Sequence, residues 1–459
     1  MRLRRPNIVP LLGGALMFFT LVQLDPGVVR AQDAPAPRSL NIIEAVRLAL
    51  ENNHEIRAHT NAVLAQKEDV GVARSYLLPK LTLEERYSLT TNPSYAFFSK
   101  LNQESITVQD FNPDLLNDPD RTDDFQTAIT VEQPLFVKKA YLGLGMARRE
   151  KQARQAELDR KREEIAYQVL KASYSIMSAR EYVRAVRQGV DEARENARVA
   201  KLRYDSGLGQ YADTLRANTA LTQAMQRSNI AEKNLALAQQ YLGLLLAEPD
   251  RIDISDAAAP LPMHALDYYQ QAARSRSDLN AAALRSENAR QNIRLAEAGY
   301  WPYLGVGGTY QFNDHEKPFG GEGESWQVAA FMRWDLFDGT KREYERSKAR
   351  YLSAQANESL SAFQKGIDYR IIEAFANVQE AKANSALARQ ALETAEEGTR
   401  LVRLRYSNGL ASLADLLSAQ AALEEVRAAL VERENAARMA QVTLGYESGT
   451  LLSDFDIQD

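Results

Sequence analysis

Residues 202–215 read Leu-Arg-Tyr-Asp-Ser-Gly-Leu-Gly-Gln-Tyr-Ala-Asp-Thr-Leu, and residues 404–417 read Leu-Arg-Tyr-Ser-Asn-Gly-Leu-Ala-Ser-Leu-Ala-Asp-Leu-Leu. Gly207 and Gly409 lie 202 positions apart, as do Tyr204 and Tyr406, and Asp213 and Asp415. An internal repeat constrains architecture before any local pattern does, because each copy must build the same unit. Here the unit is long, so the chain is expected to be a pseudo-twofold duplication.

Upstream of each phrase runs an apolar seam. Ile165, Val169, Ala172, Ile176, Ala179, Val183, Val186, Val190, Ala193, Ala197, Ala200 and Tyr204 step by four and three, and adding 202 to each preserves the register up to Tyr406. A sustained 3.5-residue repeat is a coiled-coil seam. No proline occurs between Pro134 and Pro249 or after Pro318, so both stretches can hold very long helices. A helix from about 141 to 204 would be roughly 100 Å long. Gly207 and Gly409 end the periodic runs as left-handed caps, and a second helix follows each, to about 246 and 446. Proline-free helical stretches at 40–76 and 265–299 precede Pro79 and Pro302, which are 223 positions apart.

Beyond each of these prolines the period becomes two. Leu81, Leu83, Tyr87 and Leu89 alternate with polar residues, with Glu85 as an exception on the apolar side, and Phe125, Ile129, Val131 and Leu135 do likewise. In the second copy Leu304, Val306, Tyr310 and Phe312 alternate with Gly305, Gly307, Thr309 and Gln311. Trp326 through Leu336 alternate with a set that includes Arg333 and Asp335. These predict four strands, at about 80–90, 125–136, 303–312 and 326–337, of the length that spans a bilayer. Four strands cannot close a barrel, and an open edge in lipid leaves backbone groups unpaired. Eight strands enclose only side chains, so a channel is expected to need twelve strands from three copies.

The N-terminus fits an exported protein. Arg2, Arg4 and Arg5 precede an apolar stretch at 8–24, and Val29-Arg30-Ala31 suits a cleavage site, which predicts a signal peptide at 1–31. That segment carries four Arg and one Asp, a net +3, so the remainder carries −8 from a total of −5 (−5 − 3). An acidic chain argues against nucleic acid as a partner. The absence of cysteine excludes a disulfide framework. No later stretch reaches eighteen apolar residues, so membrane entry would have to use strands.

The pattern resembles the TolC-type outer-membrane efflux protein family over essentially the whole mature chain. The resemblance rests on the duplicated strand–strand–helix–tip–helix unit and the Arg-Tyr-x-x-Gly-Leu-x4-Asp phrase at both tips. It also rests on Leu-Leu-Pro-Lys-Leu at 77–81 and Asp335-Leu336-Phe337-Asp338-Gly339. It implies an α+β trimer with a twelve-stranded barrel over a periplasmic helical tunnel, partnered by a periplasmic adaptor and an inner-membrane transporter. It also implies that Gly207-Leu208 and Gly409-Leu410 are adaptor-docking tips and that Asp415, with Asp213 as its twin, faces a periplasmic aperture. The chain departs from the pattern at Ser418, where some members have a second aspartate, and at Gln133-Pro134-Leu135-Phe136-Val137-Lys138. The implied units are repeat 1 at 32–248, a linker at 249–263, repeat 2 at 264–447 and a tail at 448–459.

Bland readings compete with several of these assignments. An aspartate six residues past a helix-ending glycine is favoured by the helix dipole alone. Arg333 and Asp335 are expected to be solvated residues of a pore wall. The shared Leu208 and Leu410 are not explained by capping and suggest a partner surface. His54 and His59 form a loose pair, and His264 and His315 read as isolated. No zinc spacing, nucleophile elbow or phosphate loop occurs, so neither an enzyme nor a cofactor is expected. The expected function is a passive outer-membrane exit duct for small toxic compounds. The same channel serving polypeptide secretion, and a periplasmic coiled-coil scaffold without a barrel, are the alternatives.

Overall fold

The computed structural model describes residues 37–255 and 262–457; the expected signal peptide and residues 256–261 of the expected linker lie outside them. The chain opens with β1 (Arg38–Leu40), α1 (Ile42–Asn52) and α2 (His54–Ser75). The helix expected at 40–76 is therefore two. Asn53 ends the first and caps the second, its Oδ1 accepting from Glu55 and Ile56 N–H while its Nδ2 donates to the Leu245 carbonyl at 2.8 Å. The second copy breaks at the equivalent place, 223 residues on. There α7 (Leu266–Ala273) gives way to α8 (Ser277–Glu297), with Arg276 at the cap.

Four strands form one antiparallel sheet in the order β2 (Lys80–Thr90), β3 (Thr122–Phe136), β5 (Tyr303–Asp314), β6 (Gly323–Arg333). The final strand stops at Arg333, four residues short of its expected end, so Asp335 lies outside the sheet. The cause is local: Arg342 donates to the Asp335 and Leu336 carbonyls at 2.8 and 3.0 Å and turns the chain away. Register sorts the side chains into two faces, because alternate residues point to opposite sides. One face carries rows such as Leu83–Ile129–Tyr310–Trp326; the other carries Thr82–Thr130–Thr309–Gln327. Glu85 sits in an apolar-face row, but its carboxylate accepts from Thr127 Oγ1 at 2.5 Å and Phe319 N–H at 3.3 Å. The strands β2 and β6 are the sheet's edges.

The 91–121 connection is folded. Helices α3 (Pro93–Asn102) and α4 (Pro113–Asn117) flank a short 3-10 turn, and Phe97 packs edge-on against Phe111 at 5.8 Å. Gln103 ties this loop to β3 through the Asp123 carbonyl and Asp124 carboxylate, at 2.8 and 2.9 Å. Asp124 and its partner Asn313 belong to the polar face, so the loop folds over that side of the sheet.

The long helices are α5 (Lys138–Asp205) and α9 (Lys341–Ser407), followed by α6 (Tyr211–Leu245) and α10 (Leu413–Ser448). Most of the seam is buried, from Ile165 to Ala200 and at Ile367, Ile371, Ala374 and Val378. The two copies repeat their surface pairs as well: Arg187–Glu232 at 2.9 Å recurs 202 residues on as Arg389–Glu434 at 2.7 Å. The main core joins α1, α2, α5 and α6 and includes a pair that the sequence patterns did not announce. There β4 (Ile252–Ile254), within the expected linker, runs parallel to β1. A short α11 (Leu451–Asp454) closes the described chain.

Candidate functional site: two helical tips and a two-faced sheet

Each long helix ends in the same turn. Gly207 and Gly409 have φ of +70° and +74°, where a side chain would strain the backbone. A Cβ at either position would meet nothing within 4 Å, so conformation, not space, requires glycine. Leu208 N–H reaches back to the Arg203 carbonyl and Leu410 N–H to the Arg405 carbonyl, both at 2.8 Å. These six-to-one bonds, with those from Gly207 to Tyr204 and Gly409 to Tyr406, satisfy the last carbonyls of the helices. Leu208 and Leu410 are left 75% and 70% exposed at the turn.

The tips pack on one another. Ala200 and Ala217 of the first hairpin join Tyr406, Leu413 and Leu416 of the second in one buried cluster. Arg203 lies over the Tyr406 ring at 5.0 Å and donates to its carbonyl at 3.1 Å. The twin tyrosines differ. Tyr406 is buried, whereas Tyr204, expected in the seam, is 45% exposed and leans on Tyr211 at 5.3 Å.

The aspartates differ too. Ser412 and Asp415 form a capping box: the carboxylate accepts from Ser412 N–H at 2.9 Å and Oγ at 2.7 Å, and Asp415 N–H donates to Ser412 Oγ at 3.2 Å. These bonds, with the nearby Arg405 charge, hold the carboxyl below its usual range. Asp213 has no such box; Gln210 caps its helix without a side-chain bond, and Arg216 lies 3.7 Å away. The capping role was legible in Ser-Leu-Ala-Asp at 412–415.

At the other end of the molecule Arg333 occupies the polar face opposite Tyr303. His315 is not isolated, as its spacing suggested: its Nδ1 lies 2.6 Å from Glu322, which bridges the β5–β6 turn and raises the imidazole's pKa. No helix among the described residues is long and apolar enough to cross a membrane. The alternating sheet is the element with the length and facing that a bilayer-spanning strand set requires.

The family model for outer membrane efflux proteins matches residues 45–248 and 268–449. Outer membrane protein TolC of Vibrio cholerae is 23% identical over 439 residues, covering 91% of this chain and 92% of that protein. The alkaline protease secretion protein AprF of Pseudomonas aeruginosa is 22% identical over 280 residues, 58% of this chain and 54% of that one. The crystal structure of the outer membrane protein VceC from Vibrio cholerae superposes with a TM-score of 0.74 at 18% identity, over 89% of this chain and 96% of that chain. The duplicated hairpins, the two-faced sheet and these matches converge: the chain belongs to the outer membrane efflux protein family and is an outer-membrane efflux channel with a large periplasmic part.

Proposed function

We propose that three copies assemble a twelve-stranded barrel continued by a helical tunnel, and that this tube is the passive exit duct of a tripartite exporter of small toxic compounds. The observation that carries the reading is a single sheet with one apolar face, one polar face and two unpaired edges. In lipid those edges must be paired by other copies, and an eight-stranded closure would fill with its own side chains. The polar rows would then line the lumen, with Arg333 among them. The exposed Leu208 and Leu410 on rigid glycine turns suit docking to a periplasmic adaptor, with an inner-membrane pump supplying the energy. Asp415 and Asp213 would lie near the periplasmic opening. Asp335, two residues past the end of the sheet, would lie where the barrel meets the tunnel.

The test is functional replacement. In a strain lacking its own exit duct, the chain with its cognate adaptor and pump should restore resistance to dyes and detergents, and the outer membrane should contain trimers that dissociate on heating. Heat-insensitive monomers in the soluble fraction would overturn the reading. A second reading, polypeptide secretion, is favoured by the likeness to a protease-secretion protein. It predicts instead a secreted protein missing from the medium of a deletion strain whose drug susceptibility is unchanged. The family's outer-membrane location sets aside the periplasmic scaffold.

A further inference from the structure

Within the sheet the two copies meet where β3, the second strand of copy one, pairs with β5, the first strand of copy two. The sheet's unpaired edges are the complementary pair: β6, the second strand of copy two, and β2, the first strand of copy one. The duplication therefore supplies a template for how one copy would meet the next. Leu135-Phe136 and Leu336-Phe337 set the offset between β3 and β6 at 201; Leu81 and Leu304, with Tyr87 and Tyr310, set that between β2 and β5 at 223.

We propose that β6 of one copy pairs antiparallel with β2 of a second copy in the register of the internal β3–β5 seam. This rests on the channel reading above and goes beyond it by fixing which residues meet. Translating Ile129↔Tyr310 gives Ala330 opposite Tyr87, and Thr127↔Phe312 gives Val328 opposite Leu89. Apolar-face residues thus meet apolar-face residues throughout. Translating Glu132↔Gly307 gives Arg333 opposite Glu84. That pair is independent of the apolar residues that set the offsets, and it places opposite charges directly across the seam. Within the protomer Glu84 faces Ala128 and Arg333 faces Tyr303, and neither forms an ion pair among the described residues.

The end of the seam carries a second match. Internally the register shifts after Pro134, Phe136 pairs with Leu304, and its ring packs on Trp301 at 6.0 Å. The twin of Phe136 is Phe337, and the twins of Leu304 and Trp301 are Leu81 and Leu78. Phe337 is 79% exposed, Leu81 71% and Leu78 49%, although the turn bearing Phe337 is held firmly by Arg342. Exposed apolar residues at the ends of two complementary edges are accounted for if each covers the other across copies.

The chain has no cysteine, so paired thiols can be introduced without background. Directly opposed strand residues lie within disulfide reach, whereas a neighbour two positions along does not. Glu84→Cys with Arg333→Cys, oxidised in isolated outer membranes, should give covalent dimers and trimers that survive boiling without reductant. Thr82→Cys or Arg86→Cys with Arg333→Cys should link at least tenfold less. Preferential linking of either shifted pair overturns the register and leaves the barrel standing. Failure of all three pairs, with heat-modifiable trimers present, overturns β6–β2 contact; absence of trimers in the cysteine-free parent overturns the channel reading itself. As an independent check, Glu84→Arg or Arg333→Glu alone should lower trimer yield severalfold and the double exchange should restore it. No recovery in the double exchange counts against the pairing.

Discussion

Gly409 stands at φ +74° with open space where a Cβ would go, so its substitution is a clean test of backbone conformation. A β-branched residue is poorly suited to the left-handed region, where an ordinary side chain costs about 1–2 kcal/mol. Gly409→Val should abolish export while trimers still assemble, because the long α9–α10 seam is untouched. Gly409→Asn, which tolerates that conformation, should keep most of the activity. Drug susceptibility and heat-modifiable trimers read the two effects separately, and normal export by the valine variant would remove the tip from the docking argument. Asp415 caps α10, and the role proposed for it at the periplasmic opening can be separated from capping by its charge. Its lowered pKa means the anion persists below the ordinary aspartate value of about 3.9. The capping contribution is therefore present above the unfolded pKa and lost as pH falls through the folded one. Asp415→Asn should weaken block by a divalent cation severalfold in planar bilayers, and in the wild type that block should persist to a pH below the ordinary aspartate range before it fades. An unchanged current–voltage relation in the variant would confine Asp415 to capping.

Among the elements, the cap at Arg276 joins more of the fold than any turn the sequence announced. Arg276 is almost fully buried, donates to Asp278 at 2.7 Å and to the Glu447 carbonyl at 2.5 Å, and so ties α8 to the end of α10. Burial alone would raise the Asp278 pKa, but the Arg276 hydrogen bond and charge more than offset it, and the net direction is down. Arg276→Met removes the closest partner of Asp278 and Glu447, which keep Arg160 at 3.6 Å and Arg370 at 3.3 Å. Leaving a buried charge uncompensated costs about 3–5 kcal/mol; the carboxylates' partial exposure and remaining arginines place the expected loss below that range, about 2 kcal/mol. Urea unfolding at pH 7 reads it; because the folded pKa of Asp278 is depressed, the difference should shrink as pH falls through that pKa. A loss below about 1 kcal/mol would make the contact ornamental. This cap also marks what was legible. The strands, long helices and tips were, because periods of two and 3.5 and paired glycines are written directly in residue order. The breaks at Asn53 and Arg276 were not, since neither proline nor glycine marks them, although both sit at the 223-residue offset already visible at Pro79 and Pro302. The β1–β4 pair was missed because three residues a side carry no period, and its partner strand lies more than two hundred positions away.

For the whole molecule, surface area decides whether a single copy is a stable state. The chain exposes 30243 Å². A compact monomer of 51.4 kDa would expose roughly 17,000 Å². Part of the excess is apolar and lies on the sheet, where Leu81, Leu83, Trp326 and Val328 are all more than 60% exposed. Lipid can cover the apolar face, but it cannot pair the strand edges, and it does not reach helices in the periplasm. Neighbouring copies can do both. Folding and assembly should therefore be one event, as in obligate oligomers that have no stable folded monomer. In detergent, far-UV circular dichroism and sedimentation velocity should report loss of helix and loss of trimer at the same urea concentration, and that midpoint should rise with protein concentration. The duplication sharpens the expectation, since the internal β3–β5 seam holds the two copies of a protomer together by the same kind of pairing that β6 and β2 leave open. A helical monomer persisting after the trimer has dissociated would mean that the long hairpins are stable alone. The pairing between copies would then complete the barrel without being needed for the fold.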